Sequence, residues 1–187
     1  MKKLTALLLA SMFTAMAGAA EVGGVKLADK LSLSGSELVL NGAGIRGNPT
    51  MDIYVGALYV LEKQTSLSGV LAAKAPRRVQ MALLIDASAE QLVPSFVGGL
   101  TKNHSKAEME DMKAQVAQLV SIIRGVKQVN SGQALFFDFI PGTGTVVSLD
   151  GIAQGTIAGD SFNHALLKIW LGEQPASDTL KKAMLGG

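Results

Sequence analysis

The chain has 187 residues, with 17 Lys and Arg against 15 Asp and Glu, two His and no Cys. The missing cysteine excludes disulfides, thiolate metal sites and thiol chemistry, and the absence of a basic block removes the footprint of nucleic-acid or anionic-membrane binding. His104 and His164 lie far apart, with no second His or acid at ligand spacing, so both read as ordinary polar residues, and neither a metal nor a cofactor is expected.

The amino terminus opens on Lys2 and Lys3, runs through apolar residues from Leu4 to Met16, and closes on Ala17-Gly18-Ala19-Ala20. That order predicts a signal peptide over residues 1–20, cleaved near Ala19/Ala20, just before Ala20 or Glu21. The run is shorter than the roughly 20 residues of a transmembrane helix, and no later stretch is long enough to span a bilayer. The expected product is an exported, periplasmic protein with one domain over residues 21–187 and no membrane span. Losing Lys2 and Lys3 leaves fifteen basic and fifteen acidic residues, a neutral chain.

Gly23 to Leu33 reads as a short strand region. Glu37–Arg46 and Asp52–Glu62 read as two strands joined by the turn Gly47-Asn48-Pro49-Thr50. The second is apolar on both faces, as a central strand covered on both sides is. Ser66–Ala73 reads as a short helix and Arg77–Ile85 as another strand. Ser88-Ala89-Glu90-Gln91 and Ser105-Lys106-Ala107-Glu108 are both capping boxes and mark helix starts. The first helix carries Leu92, Val93, Phe96, Val97 and Leu100 on one face; Pro94 predicts a kink or a later start. The second places Met109, Met112, Val116, Leu119, Val120 and Ile123 on one face and ends near Gly125.

Strands return at Ala134–Ile140 and Thr145–Leu149, a hairpin around Pro141-Gly142-Thr143-Gly144, with Gly151–Ile157 as a third. Asp160 is expected to cap a helix that buries Phe162, Leu166, Ile169 and Trp170 and stops at Gly172. A last helix runs from Ser177 to Leu185. Strands, helices, a hairpin and helices again predict an α+β fold, with helices packed on a large, mainly antiparallel sheet.

Gly42-Ala43-Gly44-Ile45-Arg46-Gly47 matches G-x-G-x-x-G. A dinucleotide site needs the third glycine to open a helix that holds the pyrophosphate, and here Asn48-Pro49 and a β-rich run follow. The glycines are expected to mark a bent strand that a neighbouring backbone or ligand approaches closely. Arg46 either stands exposed at a strand end or faces a cavity, where its planar fork can grip a carboxylate. Tyr54 and Tyr59, the two tyrosines, lie in the facing strand, and a buried tyrosine needs a partner for its hydroxyl. Arg46, Tyr54 and Tyr59 around an apolar cavity would suit an amphiphile with one acidic or phenolic end. Trp170, Met109 and Met112 read as core.

Leu40-Asn41-Gly42-Ala43-Gly44-Ile45-Arg46, then Ile53-Tyr54-Val55-Gly56-Ala57-Leu58-Tyr59, then Asp160-Ser161-Phe162 with Ile169-Trp170-Leu171-Gly172, resemble the exported bacterial branch of the chalcone isomerase-like family. The resemblance covers nearly the whole chain after the leader and implies a large antiparallel sheet, helices on one face and a ligand cleft between them. Some members of that family close a flavanone ring, and others bind fatty acids through an arginine and a tyrosine. By resemblance, Arg46 matches the arginine of both groups and Tyr54 the binders' tyrosine. Leu92 and Gly99 fall where the isomerases carry a tyrosine and an asparagine. The resemblance therefore implies binding of a fatty acid or similar amphiphilic acid. The alternatives are an isomerase (intramolecular lyase) using Arg46 and Tyr54, or a non-catalytic envelope interaction protein.

Overall fold

The computed structural model describes residues 19–187. The expected leader lies outside them except for Ala19 and Ala20. The strands are β1 (Ala19–Val22), β2 (Val25–Ala28), β3 (Lys30–Leu33), β4 (Ser36–Asn48), β5 (Met51–Val60), β6 (Arg77–Leu83), β7 (Ala87–Ser88), β8 (Gln128–Val129), β9 (Ala134–Ile140), β10 (Gly144–Leu149) and β11 (Ile152–Ile157). The helices are α1 (Leu67–Ala72), α2 (Ala89–Asn103), α3 (Lys106–Asp111), α4 (Lys113–Val126), α5 (Asp160–Leu171) and α6 (Asp178–Met184). Seven strands form one sheet in the order β11-β10-β9-β6-β5-β4-β3, every neighbouring pair antiparallel. No helix among the described residues is long and apolar enough to cross a membrane.

Strand β5 is buried from Tyr54 to Val60, and side chains alternate across a strand with period two. Tyr54, Leu58 and Val60 enter the larger core, with side chains from α1, α2, α4, α5 and α6. Val55, Ala57 and Tyr59 enter a second core on the opposite face, which Leu27 and the partly buried Val22 and Val25 of the β1–β2 hairpin help to cover. The helices thus share one face, as expected, and the first hairpin serves the other.

Three local expectations change. Helix α2 begins directly after Ser88, whose backbone N–H donates to Gln91 Oε1 at 2.9 Å, and it runs through Pro94. The later start expected from Pro94 is thus not taken; Pro94 is exposed inside the helix and leaves the Glu90 carbonyl without its i→i−4 backbone bond. The next helix, expected unbroken, is interrupted at Met112 (φ −99°, ψ 11°) and divides into α3 and α4. Asp160 is the first residue of α5, not its cap, which is Gly159; the Asp160 carboxylate instead accepts from the Gly142 N–H at 3.1 Å.

The glycines of β4 do seat a neighbour, and it is α6. A methyl at Gly42 would overlap the carbonyl oxygen of Ala183, one at Gly44 would come within 2.7 Å of Ala183 Cβ, and one at Gly56 within 3.1 Å of Leu180. Gly44 and Gly56 are cross-strand partners, so the pair makes a flat floor on which α6 lies close to the backbone. A register shift between Leu40 and Gly42 sets Asn41 apart from the ladder. Its buried amide donates to the carbonyls of Met184 (2.6 Å) and Gln64 (2.9 Å) and accepts from the Gln64 N–H (2.7 Å). Asn41 therefore holds the end of α6 that the glycines make room for.

Candidate functional site

Two residues beyond Gly44 on the same face of β4 stands Arg46, directly across from Tyr54, which in turn pairs with Leu83 of β6. This row forms the floor of a cavity of about 390 Å³. Helix α2 supplies a wall through Leu92, Phe96, Gly98 and Gly99; Ile169 and Trp170 of α5 supply another; Pro175 and Ala176 close it from the α5–α6 connection. That connection is tied to α2 by Asn103, whose amide donates to the Gln174 carbonyl at 2.9 Å and accepts from its N–H at 3.0 Å. The cavity is mainly apolar, with Arg46, Asp86, Gln91, Ser95, Lys102 and Gln174 as its polar lining.

Arg46 is half-buried, and its guanidinium carbon lies 5.8 Å from the centre of the Tyr54 ring. Three ion pairs occur among the described residues, Lys30–Glu37, Arg78–Asp138 and Lys113–Glu110, and Arg46 belongs to none. Asp86, the acid in the lining, accepts from the Ser131 N–H at 2.8 Å. Ser95 spends its hydroxyl hydrogen on the Gln91 carbonyl at 3.0 Å. The floor of the cavity therefore carries a cation that no carboxylate of the described residues neutralises.

Tyr54 is buried, and its hydroxyl oxygen accepts from Trp170 Nε1 at 3.0 Å. Burial pushes its phenol up to about 12, outweighing the Trp170 N–H and the Arg46 charge, both of which favour the phenolate. Tyr54 is thus a neutral donor throughout the ordinary pH range. The sign of the linkage follows. The folded phenol holds its proton more tightly than the unfolded one, so its contribution is complete below pH 10 and is lost as pH rises towards 12. That amounts to about 3 kcal/mol at most. In a Tyr59→Phe variant, where Tyr54 alone reports, ultraviolet absorbance should show almost no phenolate in the folded protein at pH 10. Half-ionisation at that pH would contradict the burial of this hydroxyl.

Tyr59 does not join the site. Five residues along β5 from Tyr54, it faces the opposite side of the sheet and packs in the second core. Its cross-strand partner is Arg78, whose guanidinium holds both Asp138 oxygens at 2.6 and 2.7 Å. Burial raises its pKa also, with Arg78 opposing. Two sheet faces, not one cavity, explain why both tyrosines are buried.

Trp170, read from sequence as core, is both core and cavity wall. A buried indole N–H must find an acceptor, and the two tyrosine hydroxyls were the signal that could have located it. Its helix is fixed to the sheet through Asn163, which accepts from Arg77 Nε at 2.8 Å and donates to Thr145 Oγ1 at 3.1 Å. Arg77 lies 4.1 Å over the Phe139 ring, its pKa lowered to about 10 by burial.

The chalcone isomerase-like family model matches residues 19–186. No curated protein sequence matches the chain. Among solved structures, a fatty-acid binding protein of Arabidopsis thaliana superposes with a TM-score of 0.70 at 14% identity, over 87% of this chain and 92% of that one. At that identity the likeness speaks to fold.

Proposed function

The chain belongs to the chalcone isomerase-like family, and on that premise we propose that it binds a fatty acid or a similar amphiphilic acid in the cavity between sheet and helices. The observation that carries this reading is the pairing of Arg46 with Tyr54 on an apolar floor: two donors, adjacent across β4 and β5, with no carboxylate of the described residues spent on either. An ionised carboxyl accepts from both and neutralises the cation, while an alkyl chain lies against Leu83, Leu92, Phe96 and Ile169. The fatty-acid binding of the Arabidopsis thaliana relative accords with this.

Ring closure of the isomerase type asks for donors on a developing enolate. The two positions of α2 expected to supply them are Leu92 and Gly99, both lining the cavity, and neither side chain donates a hydrogen bond. A protonated Tyr54 is also a poor base. Binding without turnover is the better fit.

The single tryptophan lines the cavity, so its fluorescence reports occupancy. Titration with decanoate should give a saturable change with one site per chain, and a flat response, with no binding by calorimetry, would overturn the reading. Export is part of the proposal and rests on the first twenty residues. An amino terminus at Ala20 or Glu21 on protein recovered from the periplasm is the expected result; an intact Met1 there would contradict it.

A further inference from the structure

We propose that Trp170 is a positioning residue that fixes the direction of the hydrogen bond at Tyr54, and so makes the cavity prefer a head group that only accepts. This inference rests on the acid-binding reading and adds to it the source of selectivity. An indole N–H donates and never accepts. With Nε1 at 3.0 Å from the Tyr54 oxygen, the hydroxyl hydrogen must turn away from Trp170. Arg46, across the strand with its guanidinium carbon 5.8 Å from the Tyr54 ring centre, also only donates. The bond accepted from Trp170 is the one hydrogen bond the hydroxyl makes among the described residues, so its hydrogen is left for a ligand.

The indole is well placed to hold this direction. It is 1% exposed and packs against the Phe96 and Phe137 rings, whose centres lie 6.3 and 5.7 Å away, and a side chain enclosed in a close-packed core cannot readily swing its N–H elsewhere. A carboxylate meets two donors with acceptors alone. A primary alcohol brings a hydrogen of its own, and Tyr54, already accepting from Trp170 and next to a second donor, is a poor place to put it. Freed of the indole N–H, the Tyr54 oxygen could accept from that alcohol.

The test compares decanoate with 1-decanol on the same proteins by calorimetry. The wild type should prefer the acid. Trp170→Phe should weaken decanoate by roughly threefold to tenfold, the scale of one buried hydrogen bond, while 1-decanol is unchanged or tighter, so that the acid-to-alcohol ratio falls at least about threefold. General loosening of the core would weaken both ligands and leave the ratio intact. Because Trp170 is a core side chain, a second variant replaces it with benzothienylalanine, which keeps the bicyclic shape and carries sulfur in place of the N–H. The same fall in ratio is expected. An unchanged ratio in a folded variant overturns the role of Trp170 while the acid preference of the wild type stands. A wild type with no preference for the acid overturns both this role and the acid-binding reading.

Discussion

Arg46→Ala should weaken decanoate binding by tenfold or more, with the fold intact. The argument is electrostatic. Arg46 is half-buried on the cavity floor and takes part in none of the ion pairs among the described residues. A bidentate, charge-assisted pair in a partly desolvated site is worth about 1.5–3 kcal/mol per interaction, against about 1.4 for a tenfold change. Arg46→Lys should fall between the two, since an ammonium keeps the charge and loses the planar fork. Arg46→Ala should change the melting temperature of the empty protein little, because it breaks no ion pair among the described residues and removes only a half-buried guanidinium 5.8 Å from the Tyr54 ring. Calorimetry on the three proteins decides it, and equal affinities would place the acid head away from Arg46.

The second large effect is on stability. Gly42→Ala places a methyl against the backbone carbonyl of Ala183, which no side-chain rotation can relieve. Helix α6 must lift, loosening its contact with Gly44 and Gly56 and straining the bond from Asn41 to the Met184 carbonyl. Overpacking of this kind costs about 1–3 kcal/mol, which for a chain of this size lowers the melting midpoint by roughly 3–10 °C. Gly98→Ala is the contrast. Its new methyl meets nothing within 4 Å, and exchange of a helical glycine for alanine should raise stability by about 0.5–1 kcal/mol. Thermal melts of both variants test the seat of α6, and a Gly42→Ala melt equal to wild type would show that α6 tolerates displacement.

Much of the fold was legible because the relevant signals are local. Alternation and two-sided apolarity located the sheet and its central strand, and the capping boxes at Ser88 and Ser105 placed two helix starts. The segment from Asn41 to Arg46 shows what sequence could and could not give. Its glycines pointed to a close approach, but which element approaches depends on α6, some 140 residues on. Arg46 could be named without a direction, because a strand end offers two faces and solvent. A register shift between Arg46 and Gly47 lies beyond local pattern. Tyr54 and Tyr59 looked alike as buried phenols, and counting along the strand separates them: an odd spacing puts them on opposite faces. Trp170 was placed in the core correctly by its apolar spacing; its partnership with Tyr54 joins residues 116 apart and left no local trace. The break at Met112 also escaped, since Met109, Met112 and Val116 continue one apolar stripe across it.

The central claim is that an ionised head group lies against Arg46 and Tyr54, and carbon-13 NMR of carboxyl-labelled decanoate bound to the protein tests it most directly. A carboxyl next to a guanidinium and a phenol hydrogen should stay ionised well below the pH at which free decanoate takes up its proton. A bound resonance with this lowered pKa, returning towards the free value in Arg46→Ala, is the predicted result. A bound carboxyl that titrates as it does in water, and does so alike in both proteins, would contradict the account.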